Sequence, residues 1–136
     1  MKEAGCIRMK VGLESGNDRI LRLMKKRINV KEIRNAISKI KGINIPITSY
    51  IMIGMPTETT DEMLDTLKLC EELNLDWVSL SIATPWYGTE LYEMVKDSLD
   101  ESLFFHQSKS VINKNVTLDI IAKFLKLNKE KRREQK

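Results

Sequence analysis

Three observations predict an α/β fold built from parallel β/α units. Three short segments rich in β-branched and apolar residues recur along the chain. Each is followed by a loop in which glycine stands beside small polar residues, and each loop leads into apolar residues at helical spacing. Strands that alternate with helices pair in parallel through right-handed crossovers. The 136 residues make one domain, large enough for a core but small for a complete α/β barrel.

The elements follow in order. Ile7, Met9, Val11 and Leu13 alternate with Arg8, Lys10 and Gly12, the period of two that marks a strand. The run from Gly12 to Gly16 breaks it, and Asn17-Asp18 opens a helix through Ile20, Leu21, Leu23 and Met24. Asn29 with Glu32 three residues on is a variant capping box. Ile33, Ala36, Ile37 and Ile40 then form one helical stripe, which Gly42 ends. A second strand is predicted from Ile45 to Ile53, followed by the loop Gly54-Met55-Pro56-Thr57-Glu58. Thr60 is expected to cap a helix with Met63, Leu64, Leu67 and Cys70 on one face, and Glu58 reads as an acid at that helix's N-terminus. The third strand runs from Trp77 to Ile82, with the loop Thr84-Pro85-Trp86-Tyr87-Gly88 and a short helix from Thr89 to about Val95. Residues 96–116 are weakly patterned and read as loop-rich. A terminal helix is predicted over 117–136, capped by Thr117 and carrying Ile120, Ile121, Phe124 and Leu127.

The two faces of the strands differ. Ile7, Met9 and Val11, then Ile45, Ile47, Ile51 and Ile53, then Val78, Leu80 and Ile82 suit a cover of helices. The opposite positions hold Arg8 and Lys10, Thr48 and Tyr50, Ser79 and Ser81. A parallel sheet wrapped on both sides reads as continuous apolar residues. A polar second face suits an open lumen for a polar ligand, or Arg8 and Lys10 simply reach past an exposed sheet edge.

The net charge is +4, much of it in Lys129-Glu130-Lys131-Arg132-Arg133-Glu134-Gln135-Lys136. Such a run reads as a solvated helix end before it reads as a nucleic-acid patch, so nucleic acid is not the expected partner. No apolar stretch approaches a membrane span and no signal-peptide core opens the chain, so no membrane contact and a cytoplasmic location are expected. Cys6, Cys70 and His106 give no metal-ligand spacing, and both thiols read as small buried hydrophobes.

The loops after the three strands would gather at one end of the sheet, where α/β barrels place their sites. Each carries a glycine for close backbone approach and short polar groups at a helix N-terminus, where free N–H groups favour acceptor-rich ligands.

At these loops a family resemblance enters. Ala4-Gly5-Cys6 with Gly12-Leu13-Glu14-Ser15-Gly16-Asn17-Asp18-Arg19-Ile20-Leu21 is similar to the fourth-strand motif of radical S-adenosylmethionine (radical SAM) enzymes. It is closest to the branch that pairs this barrel with a cobalamin-binding domain. Ile51-Met52-Ile53-Gly54-Met55-Pro56-Thr57-Glu58-Thr59 resembles the fifth-strand motif, where the family usually writes glycine at the position of Thr57. Thr84-Pro85-Trp86-Tyr87-Gly88-Thr89-Glu90-Leu91-Tyr92 resembles the loop after strand six, where the family prefers proline at the position of Tyr87. The match spans residues 4 to about 95.

The resemblance implies a single unit over residues 1–136: half of a radical SAM partial (β/α)6 TIM-like barrel, its strands four to six. It implies that Glu14 contacts SAM at the ribose hydroxyls or the amino group, that Ser15 hydrogen-bonds nearby, and that Gly16 lets the backbone pass close. Lys26 matches a basic residue directed at the methionine carboxylate, or is an exposed helix-end lysine. Gly54 and Pro56 match the turn along the adenine, with Ile53 packing beneath. Trp86 and Tyr87 would wall a substrate pocket or plug the core. No residue here is implied to be catalytic or a metal ligand.

The parent reaction implied is a 5′-deoxyadenosyl-radical or cobalamin-linked transformation of an unknown substrate, with a [4Fe-4S] cluster and a cobalamin that this chain does not ligate. The family's Cys-x3-Cys-x2-Cys loop is not in the sequence, which reads from Met1 like the middle of a longer relative, and the chain alone is expected to be inactive. The alternative is a non-catalytic half-barrel module that self-associates as a homodimer, or complements a separate cluster-bearing N-terminal half, through its first strand. An RNA-modifying methylthiotransferase-like parent ranks behind both.

Overall fold

A computed structural model describes residues 1–99 and 112–134 of the chain. Strand β1 is Met9–Glu14, followed by α1 (Asp18–Leu23), α2 (Val30–Gly42), β2 (Ile47–Ile53), α3 (Thr60–Glu72), β3 (Trp77–Ile82) and α4 (Glu90–Val95). A single 3-10 turn, Lys96–Ser98, ends that part, and α5 (Leu118–Glu134) completes the described chain. The strands form one parallel sheet in the order β1-β2-β3. This is the α/β arrangement expected for part of a radical SAM barrel. Residues 100–111 of the expected loop, His106 within them, lie outside the described residues, as do the side chains of the terminal run from Lys129.

The apolar strand faces pack under the helices. Ile47, Ile51, Ile53 and Val78 join Ile33 and Ile37 of α2, Met63, Leu69 and Cys70 of α3, and Ile120 and Phe124 of α5 in one core. Each such side chain withdrawn from water is worth roughly 1.5–3 kcal/mol, so this layer carries the fold. The other sheet face is the polar one. Arg8 Nη1 donates to Thr48 Oγ1 at 3.4 Å, and Gly12, Tyr50 and Ser79 stand level across the three strands. Tyr50 is 38% exposed there.

Several local expectations need correction. The strand begins at Met9, and Ile7, assigned to the apolar face, is 86% exposed. Ala36 is exposed while Ile33 and Ile37 are buried, so the α2 stripe is narrower than predicted. The α3 cap is Thr59, whose hydroxyl accepts from the Glu62 amide while the Glu62 carboxylate returns to the Thr59 amide, so a capping box sits one residue before the predicted position. Beyond Gly42, Asn44 takes φ +53 and supplies the left-handed residue that turns the chain out of α2.

The two sheet edges differ. Asn128 of α5 lies against β3, accepting from the Val78 amide at 3.0 Å and donating to the Val78 carbonyl at 2.6 Å. Among the described residues no strand pairs with the outer side of β1.

Candidate functional site

Glu14 and Lys26 meet at the C-terminal end of β1. Gly12 pairs with Tyr50 and Glu14 with Ile51, so Leu13 is the extra residue of a bulge. A bulge re-aims the side chain that follows it and is common beside active sites. Glu14 takes φ +66, a left-handed conformation that costs a non-glycine residue roughly 1–2 kcal/mol. Its carboxylate folds back over Gly12, where a β-carbon would stand 2.5 Å from Glu14 Oε1. Lys26 arrives from the turn after α1, its amide held by the Leu21 carbonyl at 2.9 Å. Its Nζ lies 3.0 Å from Glu14 Oε1, and the lysine and glutamate side chains are 39% and 21% exposed. An accessible carboxylate beside an accessible ammonium can accept from hydroxyl groups and bind a carboxylate within one ligand.

Ser15 and Gly16 turn the other way. Ser15 is fully buried, its hydroxyl 3.2 Å from Thr66 Oγ1, and it accepts from the Asn17 amide at 3.1 Å. The Gly16 amide donates to Thr66 Oγ1 at 2.9 Å. A β-carbon on Gly16 would stand 2.7 Å from the Asp65 carbonyl oxygen and the Thr66 Cα. The close passage expected at this glycine is therefore made against α3. Asn17 then caps α1, accepting from the Arg19 and Ile20 amides.

The loop after β2 is closed on itself. Gly54 takes φ +87, and a β-carbon there would stand 2.8 Å from Val116 Cγ2. Glu58 Oε2 accepts from the Gly54 amide at 2.6 Å and the Met55 amide at 2.9 Å. Glu58 is fully buried and its Oε1 has no hydrogen-bond partner. Burial pushes its carboxyl up to about 7, against the pull of those two amides. Glu58 thus lies before the α3 cap and serves the loop amides, a role that its expected place as a helix-terminal acid did not include. Thr57 takes φ +66, at the position where the family writes glycine. Arg19 grips that turn, donating to Thr57 Oγ1 at 3.1 Å and the Thr57 carbonyl at 3.0 Å, and holds Glu62 with two bonds of 2.6 Å. The guanidinium keeps the Glu62 carboxyl down at about 2. Ile53 is fully buried in the helix-side core, while Pro56 is half-buried in the loop.

The loop after β3 lies more open. Trp86 and Tyr87 are 69% and 58% exposed, so neither plugs the core. Tyr87 packs on Tyr92, ring centroids 4.6 Å apart. Lys25 pairs with Glu90, tying the end of α1 to α4 above a small cleft lined by Leu23, Met24, Met55, Leu91 and Met94. A wider cleft, lined by Gly16, Asn17, Arg22, Arg34, Asp65 and Glu72, lies between the exit loop of β1 and the helices α1, α2 and α3.

The described residues do not fit an iron–sulfur cluster. Cys70 is buried, which pushes its thiol up to about 12, and Cys6 lies before β1. Among the described residues no three His, Cys, Asp or Glu side chains come close enough to hold a metal ion. No helix among them is long and apolar enough to cross a membrane.

Comparison with known proteins gives a consistent picture. The model of the Radical SAM superfamily matches residues 1–70. An uncharacterized methyltransferase of Pyrococcus horikoshii is 36% identical over 93 residues, 68% of this chain and 20% of that protein. The tRNA-2-methylthio-N(6)-dimethylallyladenosine synthase of Thermosipho africanus is 28% identical over 103 residues, 74% of this chain and 24% of that one. The enzyme of the same name from Aeromonas salmonicida is 36% identical over 87 residues, 62% and 18% of the two chains. The chain thus spans about a fifth to a quarter of the length of these curated relatives.

Proposed function

Because this chain belongs to the Radical SAM superfamily, we propose that it supplies the half of a barrel that contacts the ribose and adenine of SAM. The observation that carries this reading is the Glu14–Lys26 pair. A bulge and a left-handed residue aim one carboxylate at one ammonium, 3.0 Å apart, at the mouth of a sheet whose near face is polar. Strain of this kind gathers where a side chain must be held for a ligand. Glu14 would accept from the ribose hydroxyls or the amino group, and Lys26 would meet the methionine carboxylate. Gly54 and Pro56 would present the turn along the adenine, with Ile53 fixing the strand end beneath.

The [4Fe-4S] cluster would supply the electron that cleaves SAM, from residues other than those described here. The parent reaction is a 5′-deoxyadenosyl-radical or cobalamin-linked transformation. The relatives, a methyltransferase and methylthio synthases by name, favour transfer of a methyl or methylthio group. A cytoplasmic setting suits such chemistry. The test is ligand-observed NMR with S-adenosylhomocysteine on the wild type, Glu14→Ala and Lys26→Ala. Binding by the wild type that weakens in both variants is expected; binding indifferent to both would refute the assignment.

A second reading rests on the sheet edges. With Asn128 set against β3 and no strand among the described residues on the outer side of β1, the chain would associate through β1, as a homodimer or with a cluster-bearing half barrel. Sedimentation should then show a species larger than the 15.8 kDa chain. A compact monomer at all concentrations would remove the homodimer.

A further inference from the structure

The loop that follows β2 owes its shape to a group outside the SAM-facing set. Glu58 Oε2 gathers the amides of Gly54 and Met55. Its own carbonyl is held in turn: Asn113 Nδ2 donates to it at 2.8 Å and to the Met55 carbonyl at 2.7 Å, and Asn115 Nδ2 donates to it at 2.9 Å. Asn113 is 6% exposed, and its Oδ1 accepts from the Asn115 amide at 2.9 Å. Val116, three residues on from Asn113, fills the space beneath Gly54. A segment far along the chain therefore locks both ends of Met55–Glu58, while the glutamate locks the start of the loop from inside.

We propose that Glu58, braced by Asn113 and Asn115, is the positioning residue of the Gly54–Met55–Pro56 loop, and that its ionised carboxylate sets the conformation in which the loop meets its ligand. The ligand part of this inference rests on the SAM reading above; the brace itself does not. A carboxylate accepts amide hydrogen bonds about twice as strongly as a neutral carboxyl group. Protonation would therefore slacken the grip on Gly54 and Met55. Burial brings that event up to about pH 7. The charged groups that face Glu58 are Arg19 of α1, which favours ionisation, and Glu62 of α3, which opposes it. Ligand binding should thus tighten as pH rises through neutrality.

The experiment follows the Gly54 and Met55 amides of the full chain by 1H–15N NMR between about pH 5.5 and 8.5, near the ordinary histidine range. In the wild type both are expected to move along one curve with its midpoint near 7; in Glu58→Gln that curve disappears. The Glu58→Gln spectrum assigns the step to Glu58 and to no other titrating group. Amides that stay still in the wild type, or move alike in Glu58→Gln, would overturn the proposal, and the wild-type arm needs no substitution to fold. Asn113→Ala is expected to speed hydrogen exchange at both amides; unchanged exchange would also overturn it. S-adenosylhomocysteine at pH 8 should bind Glu58→Gln about tenfold more weakly than the wild type, and equal binding would refute the positioning role. If the wild type fails to bind while its amides titrate as expected, the brace stands and the SAM reading falls.

Discussion

Two glutamates at the ends of neighbouring strands stand in opposite surroundings. Glu14 leaves β1 through a bulge, keeps its side chain 21% exposed and faces Lys26 at 3.0 Å. Glu58 lies in the loop after β2, fully buried, facing two backbone amides. The supports are reversed as well. The β1 loop is fastened by short neutral groups, Ser15, Gly16 and Thr66, while its carboxylate pairs with Lys26. The β2 loop is fastened by the carboxylate itself, whose Oε2 takes the Gly54 and Met55 amides, with Asn113 on the Met55 and Glu58 carbonyls. An accessible glutamate beside a cation is available to a second molecule; a buried one holding amides belongs to the fold.

The sharpest way to break that contrast is a series of glycine-to-alanine changes. At Gly16 the new methyl would meet α3 backbone at 2.7 Å, which cannot move aside cheaply. Gly16→Ala is expected to cost about 3 kcal/mol in urea unfolding. Gly54→Ala combines φ +87 with Val116 at 2.8 Å, and a cost of about 2 kcal/mol is expected. At Gly12 the obstacle is the end of the Glu14 side chain. There stability should fall by under about 1 kcal/mol while the Glu14–Lys26 pair is displaced. Equal costs at all three would show that the β1 mouth is packed as tightly as the loops.

Acidity separates Glu58 from the ordinary surface carboxylates. Its carboxyl is raised from 4.5 to about 7, so the folded chain holds a proton that the unfolded chain has lost. The stability this supplies is complete below pH 4.5 and disappears as pH climbs through 7, a loss on the order of 3 kcal/mol. Glu62 is lowered to about 2, so its contribution is present above pH 4.5 and is lost as pH falls towards 2. Arg19 is 45% exposed, and solvent screening reduces that arm to about 1 kcal/mol. Urea midpoints across this range should therefore peak near pH 5, and Glu58→Gln should flatten the neutral side alone.

Most of the architecture was legible in the sequence because its signals are local. The third strand, Trp77–Ile82, falls where β-branching and alternation place it, and Asn29 with Glu32 forms the capping box its spacing implies. Glu14 and Lys26 were legible by resemblance, and the structure brings them together. Glu58 was not read correctly, because its partners are the amides of Gly54 and Met55 and its brace comes from Asn113, 55 residues away. No periodicity reports a contact of that range. The Thr66 partner of Ser15 and Gly16 was not legible for a related reason: small polar residues in a strand-to-helix loop suit a ligand and a neighbouring helix equally well.

Thr57 offers the mildest test. A β-branched residue at φ +66 is strained, and glycine relieves that strain while loosening the unfolded chain. It also forfeits the Arg19 bond to Thr57 Oγ1. Thr57→Gly is expected to raise stability by about 0.5–1 kcal/mol, read as a higher Tm. A lower Tm would mean that the Arg19 grip outweighs the backbone strain.

The comparison between the two glutamates stands or falls on what Glu14 does for a ligand. Saturation-transfer NMR with millimolar S-adenosylhomocysteine, on the wild type and Glu14→Ala at pH 8, measures it directly. Weak binding by the wild type, reduced about tenfold to a hundredfold by Glu14→Ala through loss of a charge-assisted hydrogen bond, is the expected result. Wild-type binding that survives Glu14→Ala undiminished would contradict the assignment of Glu14 as the ligand-facing carboxylate.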